Sequence, residues 1–250
     1  MPSGIEWTDE TWNPVTGCTR VSPGCDNCYM YALYPRLNAM GVPGYGPSPA
    51  NVTPLPERLM VPFRWKKPRR IFVNSMSDLF HTDVPSEFIL DVFHVMKAAS
   101  SEYGHVFQVL TKRPGRAVAW WNMHKSLFPE GWPPKVWIGT SVENQKYAPR
   151  LTVLERLPAN TRFVSAEPLL DRLDLTPWLE RGTVQWVIVG GESGPGARPM
   201  DIEWAIHLKD QCDDWHIKFF LKQLGGVRKK RGGDAATIDG NTWTEIPDWE

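Results

Sequence analysis

Three of the four cysteines fall within eleven residues, Cys18, Cys25 and Cys28, in a C-x6-C-x2-C spacing. Three local thiols leave one unpaired in any disulfide scheme, so the crowding points to a metal. A closed zinc site needs a fourth nearby ligand, and the first histidine is His81, well beyond the cluster, so zinc requires a remote ligand. Alternatively, three thiolates can hold three irons of a four-iron four-sulfur (4Fe-4S) cluster and leave the fourth iron open to a cofactor or substrate. Gly17 and Gly24 directly precede cysteines and Pro23 constrains the turn, which lets backbone N–H groups approach the sulfurs. Cys212 lies alone in a predicted helix and reads as a structural cysteine.

The elements that must position this loop follow it in the chain. Short apolar runs recur at Ile71 to Asn74, Val106 to Leu110, Val136 to Gly139, Arg162 to Ser165, Trp186 to Val189 and Lys218 to Leu221. Such runs suit strands buried on both faces of a parallel sheet. Helical patterns alternate with them: Pro85 to Ser100 places Phe88, Val92, Val95, Met96 and Ala99 on one face, and Ile202 to Trp215 opens at Asp201 as N-cap. Repeated βαβ units with no visible reversal predict an α/β fold, a partial (β/α)6-type barrel with extended Pro/Trp-rich loops. An open doubly wound sheet is the alternative. The 250 residues fit one domain, with a cluster loop at 12–30, barrel repeats at 71–226 and a tail at 227–250.

Polar residues stand just after each predicted strand: Asn74, Ser75 and Asp78; Lys112 and Arg113; Thr140, Ser141 and Glu143; Ser165 and Glu167; Glu192; Lys222 and Gln223. In parallel α/β folds these positions converge on the rim where ligands bind. Their competing use is capping the helices that follow, since Ser, Thr, Asn and Asp are preferred N-caps.

Net charge is zero, with 28 basic and 28 acidic residues, so the whole molecule offers no field for sequence-blind nucleic-acid binding. A polynucleotide must be met locally, by Arg64, Lys66, Lys67, Arg69 and Arg70 or by the run Arg228 to Arg231. No apolar stretch is long enough to span a bilayer and Met1 to Asp9 lacks a signal pattern, so a cytoplasmic location with no membrane partner is expected. The 13 tryptophans and 23 prolines imply structured loops, with some aromatic residues available to line a concave site.

The stretch Ile5-Glu6-Trp7-Thr8, then Trp12 through Cys18 and Ser22 through Tyr29, resembles the signature of the phage three-cysteine-motif family, the phage gp-thirty-seven/sixty-eight family. The resemblance continues through Asn74 to Phe80, Leu110 to Pro114, Gly139 to Glu143, Ser165 to Leu169, Gly190 to Gly194 and Asp239 to Trp243. That family is similar to radical S-adenosylmethionine (radical SAM) enzymes, including the spore photoproduct lyase branch. This chain departs from their usual spacing: the first gap is six residues, and Asn27 precedes Cys28, with Tyr29 after it.

The resemblance implies a 4Fe-4S cluster on Cys18, Cys25 and Cys28, with S-adenosyl-L-methionine on the open iron and an external electron donor. Reductive cleavage would give a 5′-deoxyadenosyl radical that abstracts hydrogen. It assigns Asn74, Ser75 and Asp78 to the cofactor's amino and carboxylate groups, and Thr140, Ser141, Glu143 and Ser165 to its ribose. Gly190 and Gly191 would let backbone approach the adenine or substrate. Lys112, Arg113, Glu167, Glu192, Lys222 and Gln223 would meet a zwitterionic or phosphate-bearing substrate. The implied setting is a phage-infected or lysogenic host. The implied reaction is isomerisation or trimming of a thymidine-derived, amino-acid-bearing base in DNA. Photoproduct repair is the second reading, and a non-catalytic cluster module acting through a dedicated partner protein the third.

Overall fold

The computed structural model describes residues 4–226 and 236–249. The chain enters its main sheet with β1 (Glu10–Trp12), before the cysteines. A small antiparallel ribbon of β2 (Val15–Thr16) and β3 (Thr53–Pro54) brackets the cysteine loop and helix α1 (Tyr29–Ala39). Alternating units follow: β4 (Arg70–Val73), α2 (Ser86–Tyr103), β5 (Val106–Thr111), α3 (Pro114–His124), β6 (Val136–Ser141) and α4 (Arg150–Leu154). The series ends with β7 (Arg162–Ala166), α5 (Thr176–Leu179), β8 (Trp186–Gly190), α6 (Ile202–Asp214) and β9 (Lys218–Gln223).

Seven of these strands form one parallel sheet in the order β1-β4-β5-β6-β7-β8-β9, curled into a half-barrel. Spatial order follows chain order without reversal, whereas a doubly wound sheet reverses at a switch point. The expected six strands become seven because β1, only Glu10-Thr11-Trp12, carries no apolar run and is held by its register with Ile71, Phe72 and Val73 of β4. The helices form where expected. The apolar face of α2 buries Phe88, Ile89, Val92, Phe93, Met96 and Ala99. This helix stops at Gly104, whose φ of 73° makes it a left-handed cap. Asp201 caps α6 by accepting from the Glu203 amide at 3.0 Å.

Strand periodicity divides the core in two. Ile71, Val73, Val136, Ile138, Val187 and Val189 face the helices, while Phe72, Trp137, Phe163, Trp186, Ile188 and Phe220 turn inward. Trp7 rises into this inner layer, 4.6 Å from the Phe72 ring centroid and 5.9 Å from that of Trp186. Part of the tryptophan excess therefore fills the hollow of the sheet. Gly139 permits it, since a Cβ there would lie 2.5 Å from the Phe163 ring.

The segment from Trp243 to Trp249 does not close over the strands' C-terminal ends. It runs antiparallel along β9, with the Leu221 amide donating to Trp243 O and the Glu245 amide to Phe219 O. Ile246 and Trp249 then pack against the inner layer, and Lys135 Nζ donates to Trp249 O. That contact lies at the N-terminal end of β6, so the tail covers the opposite mouth. No described helix is long and apolar enough to cross a membrane.

Candidate functional site

At the C-terminal ends of the strands lies a cavity of about 590 Å³ into which Cys18, Cys25 and Cys28 all open. The cysteine loop is held from three sides. Cys18 N donates to Pro49 O at 2.8 Å, and Gly17, at φ 79°, is needed because a Cβ would meet Asn51 O at 2.3 Å. Pro23–Cys25 forms a short 3-10 turn, and the Gly24 amide points to Glu143 Oε1 at 3.4 Å. Both glycines allow the loop to pack closely on its neighbours, and Gly24 also lines the cavity. From a third side, Arg198 forks onto Glu192 and also donates to Pro23 O at 2.7 Å, while Asn27 Nδ2 donates to Glu192 Oε2 at 2.8 Å and to Gly196 O at 2.9 Å.

The cysteines are unpaired and differ in surroundings. Burial pushes the Cys18 thiol up to about 11, with Asp78 adding to the rise and Arg113 opposing it. Burial also raises Cys28, the N-cap of α1, while the amides of Met30 and Tyr31 and the charge of Lys112 work the other way. Three thiols opening into one cavity are the donor set a three-thiolate cluster requires. A single metal ion needs its ligands at one point, and among the described residues no group of three or more His, Cys, Asp and Glu side chains could hold one.

Of the residues expected at the rim, Asn74, Ser75, Asp78, Lys112, Arg113, Ser141, Ser165, Glu167, Glu192, Lys222 and Gln223 line this cavity. Thr140 and Glu143 do not. The Thr140 hydroxyl crosses to Thr111 O at 2.8 Å, and Glu143, fully buried, pairs with Arg150 at 2.8 Å and supports the cysteine loop.

Several lining residues have their bonding capacity used within the protein. Asp78 accepts on one oxygen from the Phe80 amide and the Thr111 hydroxyl, and on the other from the Lys112 amide and Arg113 Nη1. Glu192 carries four bonds from Asn27 and Arg198; burial alone would raise its pKa, but these bonds hold it below the usual carboxylate value. Ser75 is bonded to the Asn13 side chain, and its carbonyl accepts from the Tyr29 hydroxyl.

Other groups keep spare capacity. Asn74 sits at φ 61°, a left-handed conformation that Asn tolerates. Its Oδ1 accepts from the Val15 amide, but its buried Nδ2 has no partner. Glu167 Oε1 is bonded by Lys222 and Gln223, leaving Oε2 without a donor among the described residues. Gly191 packs against β9's exit, where a Cβ would lie 2.3 Å from Leu224 O, and it also lines the cavity.

The basic residues Arg64 to Arg69 precede β4 and Arg70 opens it, at the N-terminal end of the sheet and away from the cavity; Arg70 is paired with Asp9. The Arg228 to Arg231 run lies outside the described residues. Sequence reasoning missed Asn13, Asn27, Arg150 and Arg198, which brace the site, and Trp7 and Phe72, which line it. Asn13 and Asn27 stood inside the cysteine motif and were legible there; Arg150 and Arg198 carried no local pattern.

Fold and site together define a class, an α/β half-barrel with a three-cysteine cavity at the C-terminal ends of its strands. A family model described as a protein of unknown function (DUF5131) matches residues 2–247, and the chain belongs to that family. Comparison with curated proteins finds no match, and comparison with solved structures finds none either.

Proposed function

We propose that this chain is a radical SAM enzyme whose Cys18, Cys25 and Cys28 hold a 4Fe-4S cluster with one open iron. The observation that carries this reading is the opening of all three thiols into one cavity at the C-terminal rim of a parallel half-barrel, where ligands of such folds bind. When bound, the cluster supplies the electron that cleaves the sulfur–carbon bond of S-adenosylmethionine. The protein's part is position and exclusion of water. Trp7 and Phe72 give the cavity an apolar wall. Asn74 Nδ2, with Ser141 and Ser165, offers polar groups for the cofactor, whereas Glu143 holds the loop that carries the cysteines and Asp78 holds Arg113 against it. Glu167, Lys222 and Lys112 are left to meet the substrate.

Anaerobic reconstitution with iron and sulfide, then reduction in the presence of S-adenosylmethionine, tests the reading. About four irons and four sulfides per chain together with 5′-deoxyadenosine are expected. A loaded protein that yields no 5′-deoxyadenosine leaves a structural or redox-sensing cluster acting through a partner protein. A zinc-loaded protein that refuses iron ends the proposal.

A modified base in DNA, rearranged or trimmed, is the substrate we carry forward from the family resemblance. Reaching the cavity would require the nucleotide to leave the stack. Hypermodified DNA, irradiated DNA and free nucleosides offered in parallel separate isomerase, repair and small-molecule activities by mass of the product.

A further inference from the structure

We propose that Arg113 is a positioning residue for the cluster, acting through Cys18 and setting the cluster's reduction potential, and is not a substrate contact. The inference rests on the cluster reading above. Arg113 Nη1 lies 3.8 Å from Cys18 Sγ and 2.9 Å from Asp78 Oδ2. Its Nη2 donates to both Thr19 O and Thr19 Oγ1 at 3.0 Å, and the Thr19 hydroxyl is 2.7 Å from His81 Nε2. The guanidinium is therefore bonded on the residue following Cys18 and on the cysteine's own sulfur, with little left for a ligand. Its side chain is 12% exposed and that of Asp78 is 7% exposed. The pair thus acts in a medium that screens charge weakly.

The sign of the effect follows from charge. Reducing a cluster adds an electron, and a cation held against a ligating sulfur stabilises the reduced form and raises the potential. Asp78 stands behind the guanidinium as its counter-charge and offsets part of that rise. Removing the two partners should therefore move the potential in opposite directions, which loss of a merely structural bond would not do.

The experiment uses the full chain, reconstituted anaerobically as wild type, Arg113→Gln, Asp78→Asn and Lys97→Gln. Lys97 pairs with Glu130 on the surface and controls for net charge. Iron and sulfide content are measured first, then the midpoint potential by spectroscopically monitored titration without substrate. A lower midpoint is expected for Arg113→Gln, a higher one for Asp78→Asn and no change for Lys97→Gln. Should Arg113→Gln fail to load, the Asp78→Asn shift decides alone. A loaded Asp78→Asn with an unchanged or lowered midpoint overturns the inference, as does a loaded Arg113→Gln with an unchanged one. Wild type that takes up no cluster instead removes the functional reading on which the inference stands.

Discussion

The two ends of the half-barrel are built from similar residue types and put them to different uses. At the N-terminal end Arg70 is spent on Asp9, and Lys135 on the carbonyls of Gly104 and Trp249. Ile246 and Trp249 close that mouth over a layer of aromatic rings. At the C-terminal end the chain leaves about 590 Å³ open and surrounds it with charge. Even there the charges divide. Glu143 and Glu192 are occupied in holding the cysteine loop and Asp78 in holding Arg113, which reaches that loop at Thr19, whereas Glu167 and Asn74 keep unused hydrogen-bonding capacity. On the proposed reading the groups left for a ligand are those with unused bonding capacity, and polarity at a strand end is only a first filter.

The sharpest way to break this comparison is to damage each end separately. Cys25→Ser should reduce bound iron and 5′-deoxyadenosine formation to background while leaving the unfolding midpoint near wild type, because a loop side chain is exchanged for one of similar size. Trp186→Ala should do the reverse. Trp186 is fully buried, packs against Trp7, Trp137 and Phe220, and donates to Glu245 O at 2.9 Å. Its truncation should cost about 3–5 kcal/mol, read by denaturant unfolding. If Cys25→Ser destabilises the chain as much as Trp186→Ala, the loop is a structural keystone and the division fails.

Next in size is the clamp that joins the cysteine loop to the chain beyond β8. Arg198→Ala leaves the Glu192 carboxylate, 5% exposed, with only the Asn27 amide and the residue-198 backbone N–H as donors. A loss of about 1–3 kcal/mol is expected, with faster hydrogen exchange confined to residues 23–28 and 192–198. Exchange that rises evenly across the sheet would show that the clamp supports the whole fold and not the loop.

The strand runs from residue 71 onward were legible because a parallel strand buried on both faces must be apolar throughout, and the two long helices because their apolar faces repeat at helical spacing. β1 was not legible: Glu10-Thr11-Trp12 becomes a strand only through pairing with β4, a contact far away in sequence. The rim was read correctly as a rim, with most expected residues lining one cavity. Which of them hold the loop and which remain available was hidden, since that depends on partners such as Arg113, Arg150 and Arg198 arriving from other turns of the chain. The basic run just ahead of the Ile71 strand was legible in place as well as in charge, since in a parallel sheet it falls at the end opposite the rim.

The smallest expected effect belongs to the closed end. Arg70 meets Asp9 through its side chain at 2.9 Å and through its amide at 2.8 Å, with the two side chains 17% and 26% exposed. Burial alone would raise the Asp9 pKa, but these bonds hold it below the usual value. A carboxylate depressed in the folded state stabilises the fold above its unfolded pKa of about 3.9, and that stabilisation disappears as pH falls through the folded value. Asp9→Asn should therefore cost about 1 kcal/mol at neutral pH, and the gap from wild type should close as the medium is acidified below that range. Iron content and 5′-deoxyadenosine formation should not change. A loss of cluster in Asp9→Asn without loss of stability would couple the two ends and undo the comparison.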